Sequence, residues 1–339
     1  MCSSLIWLDI AFWVECVGFF LSLFSNLILI LLIMERPKST FGSYRYLMIS
    51  FSISGIFYSS LNFWCKPVGN TEHISIIPSF FSIFIYLKQV LQFSQCYQTY
   101  CSSYAMVLSL LSVQFFYRYT SITAPLNSTR FTSKTAPLYA LYVLGFFAVW
   151  AVLSYFINGP TDMKDQEVHP ALLLEYCLVP IEVAYIGAKY YYFEDEIRRY
   201  HWPSFFVVFI MLSSLLSIFS CMSYFGIQIF RTLNKSRLTS YGTKGLQNQL
   251  FRTLVIQTII PSIFMYFPAS CIFLFPMIGL DIHRVQILIP IAVAVYPCLE
   301  PLATMICVRG FRNRISRLFF HSTPSRTQTI LPTLQDQCI

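Results

Sequence analysis

Seven stretches of the chain are apolar over roughly the 20 residues that a helix needs to cross a hydrocarbon core. Polar or charged segments separate them. They fall near 10–34, 46–64, 93–117, 138–157, 204–229, 253–277 and 285–307. Pro261, Pro268, Pro290 and Pro297 lie inside the last two. Membrane helices tolerate such prolines because neighbouring helices and polar side chains re-satisfy the freed backbone groups. A rival segment, 74–87, is apolar but short, is interrupted by Pro78 and is closed by Lys88 and Gln89. It reads as an ordered loop or a lead-in to the third helix.

Composition sharpens this picture. Of the 339 residues 56% are hydrophobic and only 11% are charged, with a mean hydropathy of +0.61. Soluble domains carry about 25% charged residues, so a water-facing surface cannot be assembled here. The pattern predicts an all-α integral membrane protein, a bundle of seven transmembrane helices. It divides into a membrane domain (1–308), an amphipathic surface helix (309–320) and a polar, disordered tail (321–339).

The net charge of +8 is informative by position and does not point to nucleic acid. The loops at 35–45, 118–137 and 230–252, with the tail, hold 16 of the 23 lysines and arginines. Glu35 and Asp336 are the acids opposing them. The 158–203 loop on the other side is rich in Asp and Glu. The positive-inside rule then predicts an extracellular N-terminus and a cytoplasmic C-terminus. The first apolar stretch is long enough to act as an uncleaved anchor. The sequons at Asn127 and Asn234 fall in loops assigned to the cytoplasm, so they read as chance matches.

Candidate chemistry is sparse. The 11 cysteines form no C-x-x-C pair and the histidines do not cluster, which gives no metal or cofactor site. Cys96 precedes Arg118 by 22 residues, about 33 Å of helical rise. That places it at the outer surface, where it can bridge to Cys177; Cys65 and Cys101 compete for the same partner. No nucleophile elbow, zinc-protease motif or phosphate-binding loop is present, so catalysis is not expected. Charge at mid-membrane depth is nearly absent, Glu15 and Glu300 lying nearer the ends of their helices. This argues against a transporter, and the inferred orientation argues against a seven-helix ligand-gated channel with its N-terminus inside.

Seven helices with basic inner loops are the layout of a G-protein-coupled receptor, and several stretches make the likeness specific. These are FGSYRYLMISFSISGIFYS (41–59), SLLSVQFFYRYTSI (109–122), PIEVAYIGAKYYY (180–192), LVIQTIIPSIFMYFPA (254–269) and VYPCLEPLATMICVRGFRNRI (295–315). In that order the chain resembles the nematode serpentine chemoreceptors of the Str superfamily, of Str or Srj type. The resemblance implies an olfactory receptor in the plasma membrane, specifically the ciliary membrane of a chemosensory neuron. It would detect an odorant or another small chemical cue and signal to a heterotrimeric G protein.

The residues support a physical version of that reading. Gln95, Tyr97, Gln98, Ser102 and Tyr104 on helix three, Tyr58 and Asn62 on helix two, and Tyr266 and Ser270 on helix six could line a ligand cavity. A few convergent polar groups among aromatics suit a small, weakly polar ligand. The bland alternative for each is a hydrogen bond between helices.

The family's Tyr-Arg-Tyr maps to Tyr117, Arg118 and Tyr119, which would face the G protein with Arg252 of helix six. No acid precedes Arg118, so a local acid–arginine lock is not expected. A snorkelling cation at a helix end remains the simpler reading of Arg118. Tyr296, Pro297 and Glu300 suggest a hydrogen-bonded switch on helix seven, Glu300 standing where the family more often has aspartate. The competing reading pairs Glu300 with Arg309 or Arg312. From Gly310 to Phe320 the spacing of Phe311, Ile315, Leu318 and Phe319 predicts an amphipathic helix. Its arginines can meet anionic lipid headgroups.

Overall fold

The computed structural model describes residues 5–36, 42–65, 84–87, 92–123, 135–156, 183–186, 189–194, 197–235, 241–278 and 288–320. Eight helices dominate it. They are α1 (Leu5–Glu35), α2 (Tyr44–Cys65), α3 (Gln92–Thr123), α4 (Ala136–Phe156), α5 (Trp202–Lys235), α6, α7 (Leu288–Cys307) and α8 (Arg309–Phe320). Helix α6 has three parts: Tyr241–Pro261, a π-helical turn at Ser262–Tyr266, and Phe267–Met277. Two antiparallel strand pairs lie between helices, β1 (Phe84–Leu87) with β2 (Val183–Ile186), and β3 (Tyr191–Glu194) with β4 (Ile197–Tyr200). Leu87 and its neighbours in the short apolar segment thus belong to a strand, paired with the chain that follows α4.

Among the described residues five helical stretches are long and apolar enough to cross a membrane: Trp13–Glu35, Gln98–Thr123, Ala136–Tyr155, Trp202–Asn234 and Phe251–Met277. Ile291–Cys307 passes the same test together with Arg309–Arg317, which bends away from it by 92°. The remaining long helix, α2, is diluted by five serines yet packs between α1 and α3. The helices close into a ring: α1 touches α2 and α7, α3 touches α2, α4 and α5, and α6 joins α5 to α7.

Side chains are distributed as lipid requires. Phe20, Leu27 and Leu31 on α1, Leu138, Leu141 and Leu144 on α4, and Phe206, Phe209 and Leu216 on α5 face outward. Asn26, Ser52, Gln114, Gln257, Glu300 and Thr304 are buried. A soluble protein shows the reverse arrangement. Two thirds of α3's apolar window (67%) is buried against protein, against 11% of α4's, so α3 is the axial helix and α4 a peripheral one.

The prolines leave a readable trace. Pro301 has no N–H to give to the carbonyl of Pro297, one turn earlier. That carbonyl instead accepts from Asn26 Nδ2 at 3.3 Å and from Ser22 Oγ at 3.4 Å. The Ser22 hydroxyl is also 3.1 Å from Ser59 Oγ, an alternative acceptor for its one proton, so a small polar cluster joins α1, α2 and α7. In α6 the π turn lies between Pro261 and Pro268, where two missing donors and two ring clashes make a wider turn the low-cost geometry.

Candidate functional site

Two polar layers lie inside the bundle. The first surrounds Arg118. The residue is 5% exposed and α3 continues past it to Thr123, so it neither ends its helix nor snorkels to water. Its guanidinium carbon lies 3.4 Å from the centroid of the Tyr44 ring, and Tyr117 stacks on the same tyrosine at 5.6 Å. Among the described residues Arg118 Nε and Nη2 are buried without a hydrogen-bond partner. The Tyr44 hydroxyl donates to Gln114 Oε1 at 3.4 Å. Tyr119 packs against Phe225 of α5, while Arg252 is exposed on α6.

Across a cavity of about 10 Å³, Glu300 faces this group. Its carboxylate accepts from Gln257 Nε2 of α6. The same amide nitrogen is 3.1 Å from Thr304 Oγ1, and Thr304 in turn donates to the Glu300 carbonyl at 3.2 Å. Ser52 Oγ and Gln257 Oε1 also border the space and have no partner among the described residues. A volume of this size is about that of one water. Tyr44, under the Arg118 guanidinium, lines the same cavity as Glu300. The layer thus holds one buried arginine and one buried acid, kept apart by an aromatic ring and an amide.

These contacts correct two readings of Glu300. It does not pair with Arg309 or Arg312: both are exposed, whereas the carboxylate is 3% exposed and turned to α6. Nor does Tyr296 hydrogen-bond to it. Tyr296 is packed edge-on against Tyr58, with 6.3 Å between centroids, and its hydroxyl is buried without a partner. The edge-on packing holds that ring in the second layer while Gln257 occupies the acid.

The second layer is built of tyrosines. Tyr58 of α2 stacks on Tyr100 of α3 at 5.3 Å, and their hydroxyls are 3.2 Å apart. Tyr104 of α3 and Tyr266 of α6 carry further hydroxyls. Those of Tyr104, Tyr266 and Tyr296, with Asn62 Oδ1, are buried and without a hydrogen-bond partner among the described residues. Helices α2, α3, α6 and α7 thus each carry a buried polar atom without such a partner. Tyr104 is backed by Trp150 of α4 at 5.5 Å, and that indole donates to Ser214 Oγ of α5 at 2.9 Å.

Other sequence candidates fall elsewhere. Ser102 is fully buried, but its hydroxyl donates to the Gln98 carbonyl of its own helix at 2.6 Å. Gln98 is buried on the same helix and Ser270 half-buried on α6. Gln95, Tyr97 and Cys96 lie on the first turns of α3, with side chains outside the described residues. Cys177 also lies outside them, so the proposed disulfide is not described. Beyond the tyrosine layer the β3–β4 hairpin is clamped to α6. Tyr190 donates to the Phe273 carbonyl at 3.0 Å and Tyr191 to that of Met277. Burial pushes the Tyr190 phenol well above the ordinary tyrosine range, which keeps it a donor.

With this geometry established, comparison with known proteins is decisive. The sequence profile of the serpentine type 7TM GPCR chemoreceptor Str family matches residues 11–316. The chain belongs to that family. It is similar to serpentine receptor class r-10 of Caenorhabditis elegans, with 29% identity over 314 residues covering 92% of each chain. The Caenorhabditis briggsae protein of the same designation is 28% identical, over 93% of this chain and 92% of its own. G-protein coupled receptor str-33 of Caenorhabditis elegans is 25% identical over the same shares. The chain is a multi-pass membrane protein and a G-protein-coupled chemoreceptor, and this membership does not favour a channel or a transporter.

Sequence reasoning missed Tyr44, Gln114, Gln257 and Thr304. Gln257 carried a visible signal, a lone amide in the apolar run LVIQTIIP. Tyr44 carried none, because a tyrosine at a helix start is usually an interfacial anchor.

Proposed function

We propose that the tyrosine layer receives the chemical cue and that the Arg118 layer, at the cytoplasmic end, engages a heterotrimeric G protein. The observation that carries this reading is that three helices each bury a hydroxyl without a hydrogen-bond partner among the described residues, at Tyr104, Tyr266 and Tyr296. Leaving such groups unsatisfied costs roughly 1–3 kcal/mol each. A ligand with hydrogen-bond acceptors, small enough to fit among aromatic rings, relieves that cost. The cue is therefore a small, weakly polar molecule carrying oxygen or nitrogen acceptors, as suits an odorant.

The distribution of Lys and Arg supports a cytoplasmic Arg118 end and an extracellular N-terminus. A receptor of this kind acts at the plasma membrane, in a nematode at the cilium of a chemosensory neuron. Signal passes along α6 and α7, which contribute to both layers: Tyr266 with Gln257, and Tyr296 with Glu300. The π turn between Gln257 and Tyr266 is a ready hinge. Rotation of the inner part of α6 separates Gln257 from Glu300 and opens the space beside Arg118.

The test is expression of the full chain with a G-protein readout against volatile and water-soluble compounds. Tyr104→Phe, Tyr266→Phe and Tyr296→Phe should each raise the half-effective concentration about threefold to tenfold, the worth of one hydrogen bond. Arg118→Ala should abolish the response at unchanged surface level. If the chain reaches the surface, answers no compound and keeps its basal signal in Arg118→Ala, the reading fails.

A further inference from the structure

We propose that the cleft between the end of α1 and α8 is a binding site for the phosphomonoester headgroup of an anionic membrane lipid. The apolar span of α1 ends at Glu35, and α8 leaves α7 at 92°. Helix α8 buries Phe311 and exposes Arg312, Arg314 and Arg317. A helix so turned, with one apolar face, lies in the plane of the headgroups. Between it and Glu35–Arg36 is a cavity of about 350 Å³, bordered also by Gly310, Asn313, Arg314 and Arg317. Ligand sites begin at roughly this size, near 300 Å³.

The charges in the cleft are organised for a phosphate. Arg314 donates Nε and Nη2 to the two Glu35 oxygens at 3.0 and 3.1 Å, which fixes its plane and leaves Nη1 outside that pair. Arg36 donates Nη2 to the Gly310 carbonyl. A Cβ at position 310 would stand 3.1 Å from that nitrogen, so the guanidinium lies close against the α8 backbone. Among the described residues Arg317 has no ion-pair partner. Three guanidinium groups against one carboxylate leave a net charge of two, close to the charge of a phosphomonoester. Arginine forks also match phosphate oxygens in pairs, which lysine does not. A free phosphorylated metabolite offers the same chemistry, but a cleft at headgroup depth is met first by lipid.

The test uses the purified full chain in nanodiscs of phosphatidylcholine. One set is doped with a phosphatidylinositol phosphate, the other with phosphatidylserine at equal surface charge, and bound lipid is counted by native mass spectrometry. The phosphoinositide should be retained in preference to phosphatidylserine. Arg317→Gln should lower its retention about fivefold, the worth of one arginine near a membrane surface. Arg36→Gln should do so as well, while Arg312→Gln, on the same helix but outside the cleft, should leave it unchanged. Equal loss in Arg312→Gln, or equal retention of phosphatidylserine, would reduce the site to general surface charge and overturn the proposal. So would a soluble inositol phosphate binding as tightly as the lipid, which would make the occupant a metabolite.

Discussion

The Arg118 guanidinium carbon sits 3.4 Å above the Tyr44 ring, so α2, and not an acid on α3, holds the arginine. Burying a cation without a carboxylate is costly, and the ring face supplies part of the compensation. A desolvated cation–π contact is worth about 2 kcal/mol. This explains how the Tyr-Arg-Tyr stretch does without a preceding acid: the restraint comes from a neighbouring helix.

Tyr44→Ala should therefore lower stability by about 2 kcal/mol and raise basal G-protein signalling, since Arg118 loses what holds it. Tyr44→Phe keeps the ring and removes only the bond to Gln114, so it should stay near wild type in both. Thermal unfolding in detergent, read beside ligand-free signalling, checks the pair. Equal effects of the two substitutions would mean that the hydroxyl, and not the ring, restrains the arginine.

Gln257 and Glu300 make a second restraint, between α6 and α7. Gln257→Leu leaves a buried carboxylate without its donor and should cost about 3 kcal/mol. Replacing both, as Gln257→Leu with Glu300→Leu, removes the polar pair together and should recover much of that loss. A double-mutant cycle on the unfolding midpoint measures the coupling. Additive losses would show that the two side chains stabilise the protein independently.

The fold class was legible in the sequence because hydropathy repeats its message over some twenty residues in each span, and a few polar intrusions do not erase it. The polar layers were less legible, since which residues face each other depends on helix rotation. Gln257 and Tyr266 lie on one helix, but the π turn between them changes the face that each presents. Glu300 stood out as an acid near the end of an apolar helix, and Arg309 and Arg312 were its nearest cations in sequence. Its actual donor is 43 residues away on α6. Tyr58, Tyr104 and Tyr266 were recognisable as polar groups in apolar helices, whereas Tyr296 was read with Glu300 because the two are one turn apart.

The orphaned Pro297 carbonyl gives a prediction with an internal control. Asn26→Ala removes one of its two side-chain donors and should cost about 0.6–1.7 kcal/mol, the range for such bonds within membranes. In a Pro301→Ala background the restored N–H can serve that carbonyl from within α7. The added cost of Asn26→Ala should then be clearly smaller. An unchanged cost, measured by thermal unfolding, would assign Asn26's contribution to its bond with the Ser22 carbonyl at 2.9 Å.

The approach of α1 to α7 is set by Gly18. A Cβ there would come within 2.7 Å of the Ala294 carbonyl oxygen, a backbone atom that cannot turn aside as a side-chain tip can. Gly18→Ala should push the helices apart and cost about 1–3 kcal/mol, the usual penalty for overpacking. It should also weaken the Ser22 and Asn26 bonds to Pro297, which lie one and two turns further along α1. Gly145→Ala on α4 is the matched control. A Cβ at that position meets nothing within 4 Å, so its unfolding midpoint should stay level or rise slightly through better helix propensity. If Gly18→Ala unfolds at the same temperature as Gly145→Ala, the two helices are not held at the separation that this contact requires.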